Sequence, residues 1–170
     1  AEDLHELFED EAPEIQNFSE RNSSVFLTSI PEVKRMAMDI EVDMGPDDLT
    51  IPNPRLAKQK VISISFVATD GLKLVYILER KGYGFRENHP SFPDDAKIIY
   101  FKTEKNLLIE TFRLMWKYPI VVTFNGDNFD LNYLFHRANR LKVKKDLNPI
   151  IIRRGFGVMS NAECFLRRGI

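Results

Sequence analysis

The stretch from Ile120 to Leu134 constrains the fold of this chain most strongly. It opens with a β-branched apolar run from Ile120 to Thr123, passes through the polar turn Asn125 to Asn128, and continues with apolar residues at helical spacing. This order predicts a short buried strand, a tight turn and a helix that begins near Asp130. Such a unit presents a carboxylate at the end of a strand, so the neighbours of Asp130 decide its role.

A pair of carboxylates lies roughly 90 residues earlier, in the segment Val33 to Val42. This segment alternates apolar and mostly polar side chains with a period of two, which predicts a strand with one buried face. Asp39 and Glu41 lie on the other face, about 7 Å apart. One interpretation is an ordinary solvated face. The other is a cation site, because two buried like charges are costly unless a cation lies between them.

The remaining patterns predict a mixed sheet. Val61 to Ala68 and Leu72 to Leu78 are expected to be strands joined by a hairpin turn. The first three strands are therefore antiparallel neighbours, and the Ile120 strand joins parallel to the first. The expected fold class is α/β, with a mixed β-sheet flanked by helices.

Other elements are predicted from shorter patterns. Helices are expected at Thr103 to Tyr118, Leu131 to Leu141 and Ala162 to Arg168. A further short helix is expected near the N-terminus, with Pro13 breaking it. Two further short strands are expected at Val25 to Ile30 and Ile150 to Arg153.

In this sheet Asp39, Glu41 and Asp130 could converge at one end. Ligand sets made only of oxygen suit Mg²⁺ or Mn²⁺. Two such ions about 4 Å apart would activate water and stabilise the leaving oxygen in phosphodiester cleavage. With one cysteine and three scattered histidines, a zinc site is not expected.

The charges are distributed unevenly along the chain. Residues 1–50 hold 14 acidic and 3 basic side chains, whereas residues 134–170 hold 9 basic and 2 acidic ones. Such a basic segment could contact phosphates, or else be a solvated helix face and loop. No apolar run approaches the roughly 20 residues of a membrane helix. A lone Cys164 and the acidic start of the chain favour a cytoplasmic location, or a nuclear one in a eukaryote.

Two motifs carry a family resemblance. The segment Met38 to Glu41 resembles the Asp-x-Glu first exonuclease motif of the family B DNA polymerases, and Thr123 to Asp130 resembles their second motif. The flanking Lys117 to Thr123 is similar to archaeal members, and the resemblance covers roughly Val33 to Leu141. It implies a ribonuclease H-like, DnaQ-like 3′–5′ proofreading exonuclease domain.

The resemblance also implies roles for single residues. Asp39, Glu41 and Asp130 would bind two metal ions and be catalytic, and Asn125 and Phe129 would position the frayed 3′ end of DNA. Phe129 could equally be a core aromatic, and Asn125 could be selected by turn geometry. The implied partners are single-stranded 3′ ends, primer–template DNA, the rest of a polymerase chain and a sliding clamp. The basic segment from Arg137 to Lys145 would help hold DNA backbone or neighbouring domains.

The chain departs from the family pattern in one respect. The third motif, Tyr-x-x-x-Asp, is absent, because none of the five tyrosines has an aspartate four residues on. We therefore expect residues 33–170 to be part of an exonuclease domain that stops before this motif, with feeble or no activity alone. Residues 1–32 would be an acidic segment from the end of the polymerase N-terminal domain. The alternatives are a non-catalytic DNA- or partner-binding scaffold with the same fold, and a free-standing DnaQ-like nuclease.

Overall fold

The computed structural model describes residues 8–29, 32–45, 50–82, 93–126, 128–153 and 163–166, and the side chains at 26, 27, 153 and 163–166 are not described. The chain divides into two compact units, Ala1–Glu32 and Val33–Ile170. Among the described residues, no helix has the length and apolar character that a bilayer crossing needs.

The described part of the first unit contains two short helices, α1 (Pro13–Arg21) and α2 (Ser23–Leu27). Pro13 begins α1, because the first helical position requires no N–H donor. The predicted strand at Val25 to Ile30 is wrong. Its first residues are helical, and the Val25 amide donates to the Asn22 carbonyl at 2.9 Å. A three-residue apolar run has no period that distinguishes a strand from a helix. The predicted helix before Pro13 lies mainly outside the described residues.

The second unit is built on a five-stranded mixed sheet. Its strands are β1 (Arg35–Val42), β2 (Val61–Ala68), β3 (Lys73–Leu78), β4 (Lys97–Phe101) and β5 (Ile120–Val122), in the spatial order β4-β3-β2-β1-β5. The pairs β1–β2 and β2–β3 are antiparallel, and β5 pairs with β1 in parallel. The predicted α/β fold class, with its mixed sheet, is thus confirmed. A second parallel pair, β3–β4, was not predicted.

Two helices cover one face of this sheet. Helix α3 (Glu104–Met115) is capped at its N-terminus by Thr103, whose side chain accepts the Asn106 amide. Helix α4 (Asp130–Arg140) follows the polar turn. Both predicted helices are confirmed, α3 with shorter bounds than predicted and α4 beginning and ending one residue earlier. Their apolar residues belong to one buried cluster that also contains the even-numbered residues of β1, of which Met36 is fully buried.

A two-stranded antiparallel hairpin, β6 (Ile150–Arg153) and β7 (Glu163–Leu166), follows α4. The predicted strand at Ile150 is confirmed, but the predicted helix at Ala162 to Arg168 is wrong. Ile151 faces Phe165 across the hairpin, and pairing with a neighbouring strand overrides the helical preference of so short a segment.

Candidate active site

Asp39 and Glu41 lie on the open face of β1. Each faces a serine of β2, because Asp39 pairs with Ser65 and Glu41 with Ser63. Both carboxylates are exposed, whereas the intervening Ile40 is buried. The predicted alternation is therefore correct, and the two acids stand on the same side of the strand. As the structure shows them, both are also solvated.

Asp130 is placed differently, since only 3% of its surface is exposed. Strand β5 ends at Val122, whose pair is Ala37, so no strand of the described residues lies beside the edge of β1 beyond this point. The Asp130 carboxylate takes that position and accepts the Ile40 amide at 3.3 Å. It thereby satisfies a backbone donor that the short β5 does not reach.

The pKa of Asp130 is raised, and burial is the largest cause. Its own backbone amide and that of Ile40 act in the opposite direction, whereas the negative charges of Asp39 and Glu41 raise the pKa further. A helix N-terminus favours a carboxylate by about 0.3–1 kcal/mol, yet burial outweighs these stabilising contributions. The three carboxylates are thus close enough to repel one another, and a cation would relieve that repulsion.

The turn before α4 depends on the geometry of two residues. Asn125 has a φ of 55°, and its carbonyl accepts the amides of Asn128 and Phe129, each at 3.1 Å. A Cβ on Gly126 would lie 1.7 Å from the Thr123 hydroxyl oxygen, so only glycine fits there. Both residues therefore match the interpretation that turn geometry selects them.

Phe129 is half-buried and packs against the core. Its ring lies 5.5 Å from the ring of Tyr133, and the Tyr133 hydroxyl donates to the Gln59 carbonyl at 2.9 Å. This arrangement matches the core-aromatic interpretation. The exposed Asn125 is the more accessible of the two predicted substrate-binding residues, although its side-chain oxygen accepts a bond from the Asn128 amide group at 2.6 Å.

Phe124 is a candidate that the sequence predictions missed. Its side chain is 93% exposed and lines an open depression of about 400 Å³ together with Asp39 and Ser65. The half-exposed Val67 and Val122 form the apolar part of the same depression. In the sequence, Phe124 stands between the strand and the polar turn that starts at Asn125, and this position could have indicated that its side chain is exposed.

Arg137 corrects the prediction for the basic segment. Its guanidinium is buried and forms two hydrogen bonds of 2.6 Å with the Glu104 carboxylate. A third nitrogen donates to the carbonyls of Ala57 and Lys58, at 3.0 and 2.8 Å. The pKa of Arg137 is raised because of Glu104. Arg137 thus joins α3, α4 and the loop before β2, and it is not available to DNA.

The carboxylates at Asp130, Asp39 and Glu41 have the chemistry that a hard divalent cation requires, but not the spacing. Carboxylate oxygens are the ligands that Mg²⁺ and Mn²⁺ prefer. Within the described part of the chain, however, no three His, Cys, Asp or Glu side chains are grouped closely enough to hold a metal ion. Because Asp39 and Glu41 are exposed, a change of rotamer would alter their distance from Asp130 without disturbing the core.

The sequence is similar to that of a known protein family over most of its length. The family model described as DNA polymerase family B, exonuclease domain, matches residues 8–163. The match begins within the first compact unit and includes both segments that carry the candidate carboxylates.

Curated relatives agree with this match. The chain is 41% identical over 127 residues to DNA polymerase 1 of Saccharolobus solfataricus, covering 74% of this chain and 14% of the relative. It is 35% identical to DNA polymerase 1 of Sulfolobus acidocaldarius, covering 76% and 14%, and 31% identical to that of Aeropyrum pernix, covering 90% and 16%. The chain thus spans about one seventh of the curated relatives it matches. On its sequence and its mixed α/β sheet, the chain belongs to the exonuclease-domain family of the family B DNA polymerases.

Proposed function

We propose that Asp39, Glu41 and Asp130 bind two Mg²⁺ or Mn²⁺ ions and support hydrolysis of the 3′-terminal phosphodiester of DNA. The observation that carries this proposal is the hydrogen bond from Ile40 to Asp130, because Ile40 lies between Asp39 and Glu41 in β1. The charges of Asp39 and Glu41 raise the pKa of Asp130, which adds electrostatic support. Such ions supply activation of water and stabilisation of the leaving oxygen.

The three carboxylates differ in how they are held. Asp130 is held by the Ile40 amide and by the start of α4, so its carboxylate is preorganised. Asp39 and Glu41 point from an exposed strand face toward solvent, where a DNA end can approach. In the reaction a water oxygen bonds to phosphorus and loses a proton, and the bond from phosphorus to the 3′ oxygen of the preceding nucleotide breaks. That 3′ oxygen takes up a proton, and the terminal nucleotide leaves as a nucleoside 5′-monophosphate.

Aromatic and polar groups beside the carboxylates would hold the unpaired end. Phe124 offers an exposed ring next to Asp39, and stacking of a base on such a ring contributes about 1–3 kcal/mol. Asn125 lies next in the chain and can reach the same strand end. Phe129, which is half-buried, would act indirectly by holding Tyr133 and the start of α4 in place.

The wider protein context is also part of the proposal. The named relatives are DNA polymerases, so we infer a DNA polymerase whose 3′–5′ exonuclease removes mispaired nucleotides. Its partners would be primer–template DNA, the remainder of the polymerase chain and a sliding clamp, in the cytoplasm with the nucleoid. Residues 1–32 would end the preceding polymerase domain.

The test is removal of labelled 3′ nucleotides by the polymerase that carries this chain. Asp39→Ala should lower Mg²⁺-dependent 3′–5′ degradation by at least about 100-fold and leave DNA synthesis intact, because an interaction made by a metal ligand is worth several kcal/mol. The matched control is Asp95→Ala, which removes an exposed carboxylate paired with Lys73. Degradation that Asp39→Ala leaves unchanged would contradict the site.

A non-catalytic DNA-binding scaffold is the second candidate function. The spacing of the carboxylates in the described residues favours it, since no three of them form a metal-holding group. The same experiment separates the two. DNA binding without any Mg²⁺-dependent degradation by the wild-type polymerase would support the scaffold.

A further inference from the structure

The pairing between β1 and β2 is irregular beside Glu41. Glu41 pairs with Ser63 and Val42 pairs with Val61, so within the described strands Ile62 is left without a partner on β1. One extra residue on one strand of an antiparallel pair is a β-bulge, which bends the strand and increases its twist. Bulges are frequent next to active sites, where they change the direction of a side chain. The bulge here lies opposite one of the three candidate carboxylates.

The burial of β2 shows what the bulge does to this strand. Side chains of a regular strand alternate between two faces, so residues an even number apart share a face. Phe66 and Ile64 are buried, but the next buried residue of β2 is Val61, three residues before Ile64. Strand β1 keeps its regular alternation through Ile40. The change of face is therefore confined to β2, and Glu41 stays on the open face of the sheet.

Two side chains of α4 hold the backbone that leads into the bulge. Arg137 donates to the carbonyls of Ala57 and Lys58, at 3.0 and 2.8 Å. The Tyr133 hydroxyl donates to the Gln59 carbonyl at 2.9 Å. Both side chains are buried, and Tyr133 is fully so. Three consecutive carbonyls before β2 are thus held by one helix.

A carboxylate of α3 holds the first residue of β2. The buried Glu104 accepts the Val61 amide at 2.8 Å and forms two hydrogen bonds of 2.6 Å with Arg137. The Lys60 carbonyl accepts the Asp43 amide at 2.7 Å. Every residue from 57 to 61 therefore has a backbone group in a hydrogen bond. We call the side chains of Glu104, Tyr133 and Arg137 the backbone clamp.

Helix α4 connects the backbone clamp to Asp130. Asp130, Tyr133 and Arg137 are spaced by three and four residues, so they share one face of the helix. Asp130 accepts the Ile40 amide at 3.3 Å, which places the start of this face against β1 immediately before Glu41. The rest of the face holds the segment that leads into the bulge. One helix thus contacts both strands that flank the Glu41 position.

We propose that the backbone clamp positions Glu41 for the candidate metal site by holding the bulge opposite it. Its members are positioning residues, because they act through the backbone of residues 57–61. The inference rests on the proposed function for the role of the carboxylate, whereas the effect on the backbone can be measured without a metal. Groups that orient metal ligands from outside typically contribute about 10–100-fold in metal affinity.

The principal variant is Tyr133→Phe. It removes one hydroxyl from a fully buried ring and leaves the packing of that ring in place. The matched control is Tyr118→Phe, because Tyr118 is also buried and its hydroxyl donates to Asp70 at 3.0 Å. Asp70 lies in the turn between β2 and β3, so the control removes an equivalent hydrogen bond away from the bulge.

Residual dipolar couplings of the backbone amides, measured in EDTA, test the effect on the backbone. In Tyr133→Phe the amides of Glu41, Val42 and Ile62 should reorient, whereas those of β3 and β4 should stay as in wild type. Tyr118→Phe should leave all of these couplings as in wild type. Unchanged couplings at the three amides in Tyr133→Phe, or equal changes in both variants, would overturn the proposal.

Calorimetric titration with Mn²⁺ tests the effect on the candidate metal site. Tyr133→Phe should weaken Mn²⁺ binding about tenfold, and Tyr118→Phe should leave it as in wild type. In a Glu41→Gln background, Tyr133→Phe should cause less than about a twofold further loss, because two residues that act through one group are not additive. An undiminished tenfold loss in that background would contradict the assignment to Glu41.

The two measurements separate this inference from the proposed function. Reoriented amides without saturable Mn²⁺ binding by wild type would contradict the metal site and support the hold of the backbone clamp on the bulge. Saturable Mn²⁺ binding with unchanged couplings in Tyr133→Phe would support the metal site and contradict the backbone clamp.

Discussion

Arg137→Met tests whether the buried ion pair positions α4. The substitution leaves the Glu104 side chain, only 6% exposed, with the Val61 amide as its remaining described hydrogen-bond donor, at 2.8 Å. It also removes the donor to the Ala57 and Lys58 carbonyls. Breaking a buried pair from one side costs about 3–5 kcal/mol. For a domain of this size that lowers the melting temperature by about 6–20 °C.

Urea unfolding followed by circular dichroism measures this loss. The matched control is Arg113→Met, because Arg113 pairs with Glu110 on the exposed side of α3, and exposed pairs contribute less than about 1 kcal/mol. The double variant Glu104→Met with Arg137→Met should be at least about 1 kcal/mol more stable than Arg137→Met alone, since no buried charge remains. A cost of Arg137→Met no larger than that of Arg113→Met would refute the reasoning.

Two other substitutions test the turn and the buried carboxylate. Asp130→Asn should raise the melting temperature at pH 7 in EDTA. Because the pKa of Asp130 is raised in the folded state, protonation of its side chain stabilises the fold fully below the ordinary pKa of 3.8. This stabilisation is lost as the pH rises through the pKa of the folded state. The gain should vanish below about pH 4, and an equal gain at all pH values would contradict this. Gly126→Ala should cost about 1–3 kcal/mol by overpacking against Thr123, measured by urea unfolding. Gly45→Ala, where a Cβ meets nothing within 4 Å, is its control, and equal costs would refute the steric argument.

The sequence predicted the parts of the fold that have a long, regular pattern. The alternation around Asp39 identified β1 and its two faces, and the order of apolar run, polar turn and helical spacing identified β5 and α4. In each case the burial of one face enforces the periodicity, so the pattern can be read without the neighbouring elements.

The failures concern short segments, whose structure depends on distant partners. Glu163–Leu166 forms a strand because it pairs with β6, and a four-residue pattern does not show that partner. Arg137 lies among cations along the chain, but its guanidinium faces a carboxylate 33 residues away. Linear spacing does not reveal such a contact, so the predicted basic segment wrongly included Arg137.

The motifs proposed the residues of the candidate site but did not give their geometry. Asp39, Glu41 and Asp130 followed from the motifs, yet the burial of Asp130 arises from the early end of β5, which leaves a place beside Ile40. The exposure of Phe124 likewise depends on the strand ending before it. These features require the lengths of paired strands, which the sequence alone gives only approximately.

The central claim is that Asp39, Glu41 and Asp130 share a divalent cation, and calorimetric titration with Mn²⁺ tests it most directly. Wild-type chain should bind saturably at pH 7, and Asp130→Asn and Asp39→Asn should each weaken binding at least about tenfold, because each removes an anionic ligand. Asp95→Asn, which changes an exposed carboxylate on the same sheet unit, should bind as wild type does. Absence of saturable binding, or equal affinity in all four proteins, would contradict the account.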